Sequence, residues 1–484
     1  MVLRFISDFT LLMVFAALAS GCVSRENPYL ARDQFLANVT VIDVSDGSEL
    51  ADQTVVIRGD RIFDVLPSDA VRLPAEPSIL TTGGYVVPGL WDMHVHTMTV
   101  PDAALNYFFP MFLANGVIGI RDMGSVVEGI IETRSRIADD ESILAPHLYV
   151  SGPLLDGQKL RWYGDLPLVL KTAEDVDREL PKLKAAGMDF LKVYDALPPE
   201  AYDAVVAFGA ANNLPIAGHT PKGVNLTGAG LAKQRSVEHL SPFGFRDCLA
   251  EPEMWFQRSI RAKFGQGYQA YYEVTKQIFE ALDRDACRSA FETMAAGDTR
   301  FTPTLVMELN DRSRVPEQDL KYLRSGGREW CESGLSGIDQ ADPDLRETVY
   351  AEYAKLLDEM REAGVTIIAG SDVPNNCLVP GFSLHWELER QVEVGLTPFE
   401  ALQSATLHAA EVMDRGDEIG QVATGYLADL LVLNENPLQD ISHLREIKGV
   451  MVAGRWIGDT ERDQIMERVG GYLASEALQI EQAE

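Results

Sequence analysis

The chain has 484 residues, long for one domain and ordinary for a large barrel with an appended domain. Its 42 basic and 73 acidic side chains leave a formal net charge of −31, the reverse of the basic footprint that nucleic-acid binding needs. Hydrophobic residues make up 46% and charged residues 24%, as in a folded globular protein, so a disordered or fibrous chain is excluded.

The first stretch, MVLRFISDFTLLMVFAALASGC, has one early cation, Arg4, and an apolar run from Phe9 to Ala19. That run is shorter than the roughly 20 residues of a comfortable membrane span and reads as a secretory signal over residues 1–21. Its ending, LASGC, resembles a bacterial lipobox, which implies that Cys22 is lipidated and begins the exported protein. Val23 rather than an aspartate follows, which by analogy with bacterial sorting rules points to an outer-membrane lipoprotein facing the periplasm. The membrane is then met only through the lipid anchor. Cys248, Cys287, Cys331 and Cys377 lack CxxC spacing; buried free thiols are the default expectation, with pairing open in an oxidising compartment.

Residues 30–83 alternate β-branched and polar residues and are broken by Asp-Gly and Gly-Asp, as strands and turns require. Residues 418–462 carry the same pattern, which predicts a small composite β-sandwich domain built from both chain ends. Between them, residues 84–417 alternate short apolar runs with helical patterns. The runs Tyr85–His96, Gly116–Asp122, His147–Gly152, Asp189–Tyr194, Pro215–His219, Ser236–His239, Arg300–Leu305 and Thr366–Asp372 predict eight strands. Such alternation gives an α/β fold, a (β/α)8 TIM barrel. A doubly wound sheet is the alternative, but no GxGxxG fingerprint is present. A helical insertion of residues about 245–300 is aromatic-rich and reads as a substrate lid or a structural cap over the mouth.

Chemistry-bearing residues gather at strand ends. His94 and His96 are two apart, so on a strand they share a face, and Asp92 lies in the same phase where it can orient a histidine. Lys192 sits inside an apolar run, where an unpaired ammonium is costly. His219, His239 and Asp372 end three more runs. Four of the chain's eight histidines thus fall at predicted strand ends, beside one lysine and one aspartate.

The segments PGLWDMHVH, ANGVIGIRDMG, GMDFLKVYD, GHTPKGV, SVEHLSPF and IIAGSD resemble strand motifs of the amidohydrolase superfamily in its two-metal, carboxylated-lysine form. GLTPFEALQSATLHAAEVM with GYLADLLVL is similar to the C-terminal signature of the imidazolonepropionase- and prolidase-like branch. The loop GQKLRWYG departs from that branch's glycine- and histidine-rich loop. The resemblance implies that His94, His96 and Asp372 hold a buried metal and that His219 and His239 hold a more exposed one. Lys192, carboxylated by carbon dioxide, bridges the two. It also implies two divalent ions, zinc by donor type, and a metal-bound hydroxide whose proton passes through Asp372.

The substrate is then a small molecule with an amide-type C–N bond, a dipeptide (Xaa-Pro-like) or an N-acyl amino acid. A cyclic amide or ester (lactone) hydrolase and a non-catalytic binding lipoprotein are the alternatives. Tyr194, in phase with Lys192, and Arg161, Tyr163, Lys222 and His385 are candidate substrate contacts, the cations as grips for a carboxylate. His147, His408 and His443 read as structural or surface residues, and a homo-oligomer is left open.

Overall fold

The computed structural model describes residues 27–159, 164, 166–241, 244–309, 314–325, 327–375 and 377–481. Cys22, Arg161 and Tyr163 lie outside the described residues.

Both chain ends do enter one sheet. Its order is Arg455–Gly458, Ile447–Val452, Leu430–Leu433, Tyr85–Pro88, Gln34–Ile42, Glu49–Arg58 and Arg61–Pro67, with Ser78–Thr82 also beside Gln34–Ile42. The ladder joins all eight strands, where two facing sheets were expected. The register of Gln34–Ile42 against its neighbour shifts after Leu36 and again after Val39, irregularities that bend one continuous sheet. Strand alternation decides which core each residue enters. Val86, Leu430 and Val432 pack with Leu36, Val55 and Ile57 inside the small domain, while Val87, Leu431 and Leu433 join the main core.

The predicted strand Tyr85–His96 is two strands. Tyr85–Pro88 belongs to the eight-stranded sheet and Leu90–Val95 to a separate parallel one. Gly89 makes the change of sheet feasible, because a Cβ there would lie 2.2 Å from the Ile118 side chain.

Leu90–Val95, Val117–Asp122 and His147–Val150 form a three-stranded parallel sheet. Pro167–Val169, Leu154–Asp156, Leu191–Val193, Ile216–Gly218, Ser236–Glu238 and Arg300–Thr302 form a six-stranded parallel one. Helices such as Val127–Asp139, Ala173–Ala185 and Pro199–Asn212 connect them, which makes the domain α/β. The expected eighth strand, Thr366–Asp372, forms no ladder. It meets its neighbours only at the parallel bridges Phe301–Ile367 and Val95–Val373. Asp372 has φ +62°, outside the extended region a strand requires. On the other seam, Asp189 N donates to Val150 O at 2.8 Å.

Ala173–Ala185 tolerates Pro181 and opens with a Thr172–Asp175 capping box. The insertion is helical as expected, in Pro252–Gly265, Tyr268–Ala281 and Arg284–Ala296. The third of these packs on Asn225–Leu231 as an ordinary covering helix, so the first two are the added hairpin. The thiols are not free: Cys248 pairs with Cys287 and Cys331 with Cys377. The second bridge ties the helix Gly327–Asp339 to the loop that follows Asp372. Cα separations of 4.9 and 4.8 Å bring each pair within bonding reach, a proximity that spacings of 39 and 46 residues do not reveal. No helix among the described residues is long and apolar enough to cross a membrane.

Candidate metal centre

The parallel strands all end on the same side, and the polar residues there converge. The rings of His94 and His96 are 5.3 Å apart, those of His94 and His239 4.7 Å, and those of His239 and His219 4.8 Å. Asp372 reaches into this group: Oδ1 lies 3.7 Å from His94 Nε2 and 3.4 Å from His96 Nε2, and Oδ2 lies 3.9 Å from His239 Nδ1. One ligand atom each from His94, His239 and Asp372 fits within 4.8 Å of the others. Lys192 is buried beneath them, and its charge is felt by His94, His239 and Asp372's neighbour His96. All six predicted residues are therefore brought together.

The group has the character of an unfilled ligand set. Among the described residues His94 Nε2 and Lys192 Nζ are buried without a hydrogen-bond partner, and the buried Asp372 Oδ1 has only the His96 ring at 3.4 Å. Buried polar atoms normally find one, so orphans on His94 and Asp372, whose ligand atoms lie within 4.8 Å of one another, fit a cation held there, with Lys192 buried nearby. The protonation states agree. Burial, then the charge of Lys192, hold His94 well below the ordinary histidine range, and burial brings His239 down to about 3. Both are neutral imidazoles, the form that binds metal. Burial works to raise the Asp372 pKa, but the surrounding histidines, with His96 bonded to it, bring the net shift downward, so the carboxylate stays ionised. Burial also lowers Lys192 to about 8, against the pull of Glu238 and Asp372.

Each histidine is aimed by a partner that sequence reasoning missed. His94 Nδ1 lies 2.9 Å from Glu238 Oε2, His219 Nδ1 2.8 Å from Asp195 Oδ1, His239 Nδ1 2.9 Å from Thr304 Oγ1, and His96 Nδ1 3.0 Å from the Gly124 carbonyl. Glu238 is itself gripped by Arg121, whose Nη2 donates to Oε1 at 3.0 Å and Oε2 at 3.1 Å. Burial opposes the charge of Glu238, yet Arg121 and Lys192 outweigh it and hold its pKa below the ordinary glutamate value. The available signal was position: Glu238 and Asp195 stand beside His239 and Tyr194 at strand ends.

Asp92 does not orient a histidine ring. Its carboxylate accepts from Ser371 N at 2.9 Å and Ser371 Oγ at 2.5 Å, and from the His94 backbone N at 3.3 Å. It secures the backbone that carries Asp372, and burial pushes its pKa up to about 7.

The substrate candidates divide. The Tyr194 ring lies 4.2 Å from the His219 ring in a tilted contact, at the mouth as expected. Lys222 is 61% exposed and paired with Glu253 at 2.7 Å, so its charge is engaged at the rim. His385 is a correction: it is buried and its Nε2 lies 2.8 Å from the Asn115 carbonyl, before the strand Val117–Asp122 and at the end opposite the mouth. Helical phase put a packing histidine beside a motif, without fixing which end of the barrel it faced. His147 pairs with Asp429 at 2.9 Å, His408 lies 3.1 Å from the Ile367 carbonyl, and His443 lies 2.8 Å from that of Asn436. All three are structural.

A parallel α/β domain that gathers histidines and a carboxylate at its strand ends is the framework of a metal-dependent hydrolase. Residues 85–457 match the amidohydrolase family, and the chain belongs to it: it is a hydrolase acting on carbon–nitrogen bonds. The chain is 24% identical over 480 residues to ochratoxinase of Aspergillus niger, covering 86% of this chain and 85% of that one. The solved structure of a bottromycin amidohydrolase superposes with a TM-score of 0.70 at 22% identity, covering 91% of this chain and 90% of that one. A Xaa-Pro dipeptidase with bound methionine superposes with a TM-score of 0.63 at 19% identity, covering 88% of this chain and 100% of that one. These structural likenesses carry the fold.

Proposed function

We propose that this protein is a two-metal amidohydrolase that cleaves the amide bond of a dipeptide, Xaa-Pro dipeptides included, or of an N-acyl amino acid. The observation that carries the reading is the set of buried side chains of His94, Lys192 and Asp372, with His94 Nε2 and Lys192 Nζ unpartnered among the described residues, gathered with His96, His219 and His239. The two parallel sheets read as one (β/α)8 barrel, joined on one side through the bridges of Ile367 and Val373 and on the other by the Asp189–Val150 hydrogen bond.

In this reading His94, His96 and Asp372 would hold one divalent ion and His219 and His239 a second, with Lys192, once carboxylated, supplying a further anionic ligand. Zinc suits imidazole and carboxylate donors without thiolate. When bound, the two cations polarise the scissile carbonyl and bring the pKa of water to about 7. The chain's own groups do the rest. Asp372, aimed by the Ser371–Asp92 contacts, takes a proton from the attacking water and delivers it to the leaving nitrogen. Lys192, with its pKa lowered to about 8, offers enough neutral amine to add to carbon dioxide, releasing one proton and forming an anionic carbamate. Glu238, Asp195 and Thr304 keep the metal-facing nitrogens of His94, His219 and His239 aimed inward. The chain is exported and anchored through a lipid on Cys22.

The test is reconstitution with zinc, metal analysis, and turnover of a panel of dipeptides and N-acyl amino acids. Two metals per chain, amide hydrolysis, and a carbamate carbon signal from labelled bicarbonate that vanishes in Lys192→Arg are expected. Fewer than one metal per chain with no amide or ester turned over would return the protein to a binding role.

A further inference from the structure

Two charged groups of opposite sign stand beside the centre, and neither makes an ion pair among the described residues, although Glu253 and Asp195 feel the charge of Arg246 and Lys263 acts on Glu308. Arg246 begins the turn Arg246–Cys248, just past the strand Ser236–Glu238. It is half-buried, and its Nη1 lies 3.5 Å from the carbonyl of Thr220, the residue after His219. Its guanidinium is 5.9 Å from the Phe256 ring of the inserted hairpin, and its charge is felt by Asp195, which aims His219. Among the described residues it makes no ion pair. Its neighbour Lys222 has one, with Glu253.

Glu308 ends the short helix Leu305–Glu308, one turn beyond Thr304, whose hydroxyl meets His239. It too is half-buried, and its side chain makes no hydrogen bond or ion pair among the described residues. It lies close enough to Asp372 to feel its charge, with Lys263 as the opposing cation, and its own charge is felt by Tyr268 and Tyr271 of the inserted hairpin. The cation therefore flanks the His219 side of the centre and the carboxylate flanks the Asp372 and His239 side, both under the hairpin. A half-buried charge has lost part of its hydration, so an opposite charge brought by a ligand is bound more strongly there than on open surface.

We propose that Arg246 grips the carboxylate of the substrate and Glu308 its ammonium, so that the site takes a dipeptide with both ends free in preference to an N-acyl amino acid. The assignment rests on the amidohydrolase reading above and narrows it. It also gives the inserted hairpin a role, since Phe256 lies beside Arg246 and the charges of Lys263 and Glu308 reach each other next to Tyr271.

The experiment separates binding from turnover. A dipeptide isostere with a ketomethylene in place of the scissile amide is titrated calorimetrically into the zinc-loaded protein. It is used with free ends, N-acetylated, or as the C-terminal amide, and the parent dipeptide is assayed for hydrolysis in parallel. Arg246→Met is expected to weaken the free-ended isostere about 10- to 100-fold more than the C-terminal amide, with Arg246→Lys recovering part of the loss. Glu308→Gln is expected to weaken it at least about tenfold more than the N-acetylated form. Equal losses on all three forms, or none, overturn the clamp whatever the turnover. Charge-selective binding without hydrolysis of the parent dipeptide upholds the clamp and overturns the hydrolase reading instead.

Discussion

A histidine can present either ring nitrogen to a metal, and at His94 a buried carboxylate settles the matter. Glu238 Oε2 sits 2.9 Å from Nδ1, so the proton belongs there and Nε2 is left facing Asp372. The carboxylate can play this part because it is itself held: Arg121 spans both its oxygens, Ser236 donates to it, and Arg121 Nε also donates to the Met93 carbonyl at 2.6 Å. Arg121 and Glu238 are both buried, which makes removing either charge alone expensive. In Glu238→Gln the amide can still accept from His94, but it no longer balances Arg121. Zinc affinity, read by competition with a chromogenic chelator, is expected to fall about 10- to 100-fold. Thermal unfolding of the metal-free variant should show a loss of roughly 3–5 kcal/mol. An unchanged metal affinity together with that stability loss would make the contact purely structural.

At the scale of elements, the C-terminal helix Asp459–Glu481 adds a second tie beside the strands that already send residues into both cores. Ile465, Val469 and Leu473, spaced four apart, form a buried stripe that joins the main core. Arg462 on the same helix donates to Ala114 O at 3.0 Å in the large domain and to Ile447 O at 2.8 Å in the small one. Ile465→Ala removes buried methyl groups of that stripe, and about 2–5 kcal/mol of stability should go with them, measured by denaturant unfolding. A cost near zero would mean that the helix merely rests on the surface. This helix also marks a limit of reading elements from sequence. Its apolar residues are sparse and its stripe narrow, so its periodicity is weak beside the strand runs that precede it. The strands that were legible, such as Leu191–Val193 and Ile216–Gly218, are the centres of longer apolar runs ending in a chemical residue. Leu154–Asp156 and Pro167–Val169, three residues each, are too short for alternation to register. Thr366–Asp372 reads as a strand because Ile367, Ile368 and Ala369 make an apolar run, yet the left-handed backbone at Asp372 takes its end away from a ladder. All six candidate metal ligands were legible because their types are rare in apolar runs. Glu238, Asp195 and Thr304 were not, because a polar residue next to a strand end is common and only three-dimensional proximity to a ring nitrogen singles it out.

Over the whole molecule, the excess of 31 negative charges sets long-range repulsion against local attraction. The local pairs are numerous: Arg284 lies 2.5 Å from Glu352 and 3.0 Å from Glu359, Arg235 lies 2.8 Å from Asp414, and Arg324 pairs with Glu476. Most are partly exposed, and each such pair contributes at most about 1 kcal/mol, which salt weakens. Repulsion among the unpaired carboxylates acts over longer distances and destabilises the compact state. The two differ in reach, so salt separates them. At an ionic strength of about 0.01 M the screening length is roughly 30 Å, comparable to the size of a domain, while at about 0.15 M it is roughly 8 Å. Screening at that second length still leaves contact pairs at about 3–4 Å largely intact but removes repulsion across the surface. The melting temperature of the metal-loaded protein is therefore expected to rise by several degrees as sodium chloride increases over this range, and then to level off. Scanning calorimetry at fixed pH and zinc concentration measures it directly. A melting temperature that falls over the same range would show that the local pairs outweigh the net charge. The acidic surface would then be held together by its arginines rather than strained by its carboxylates.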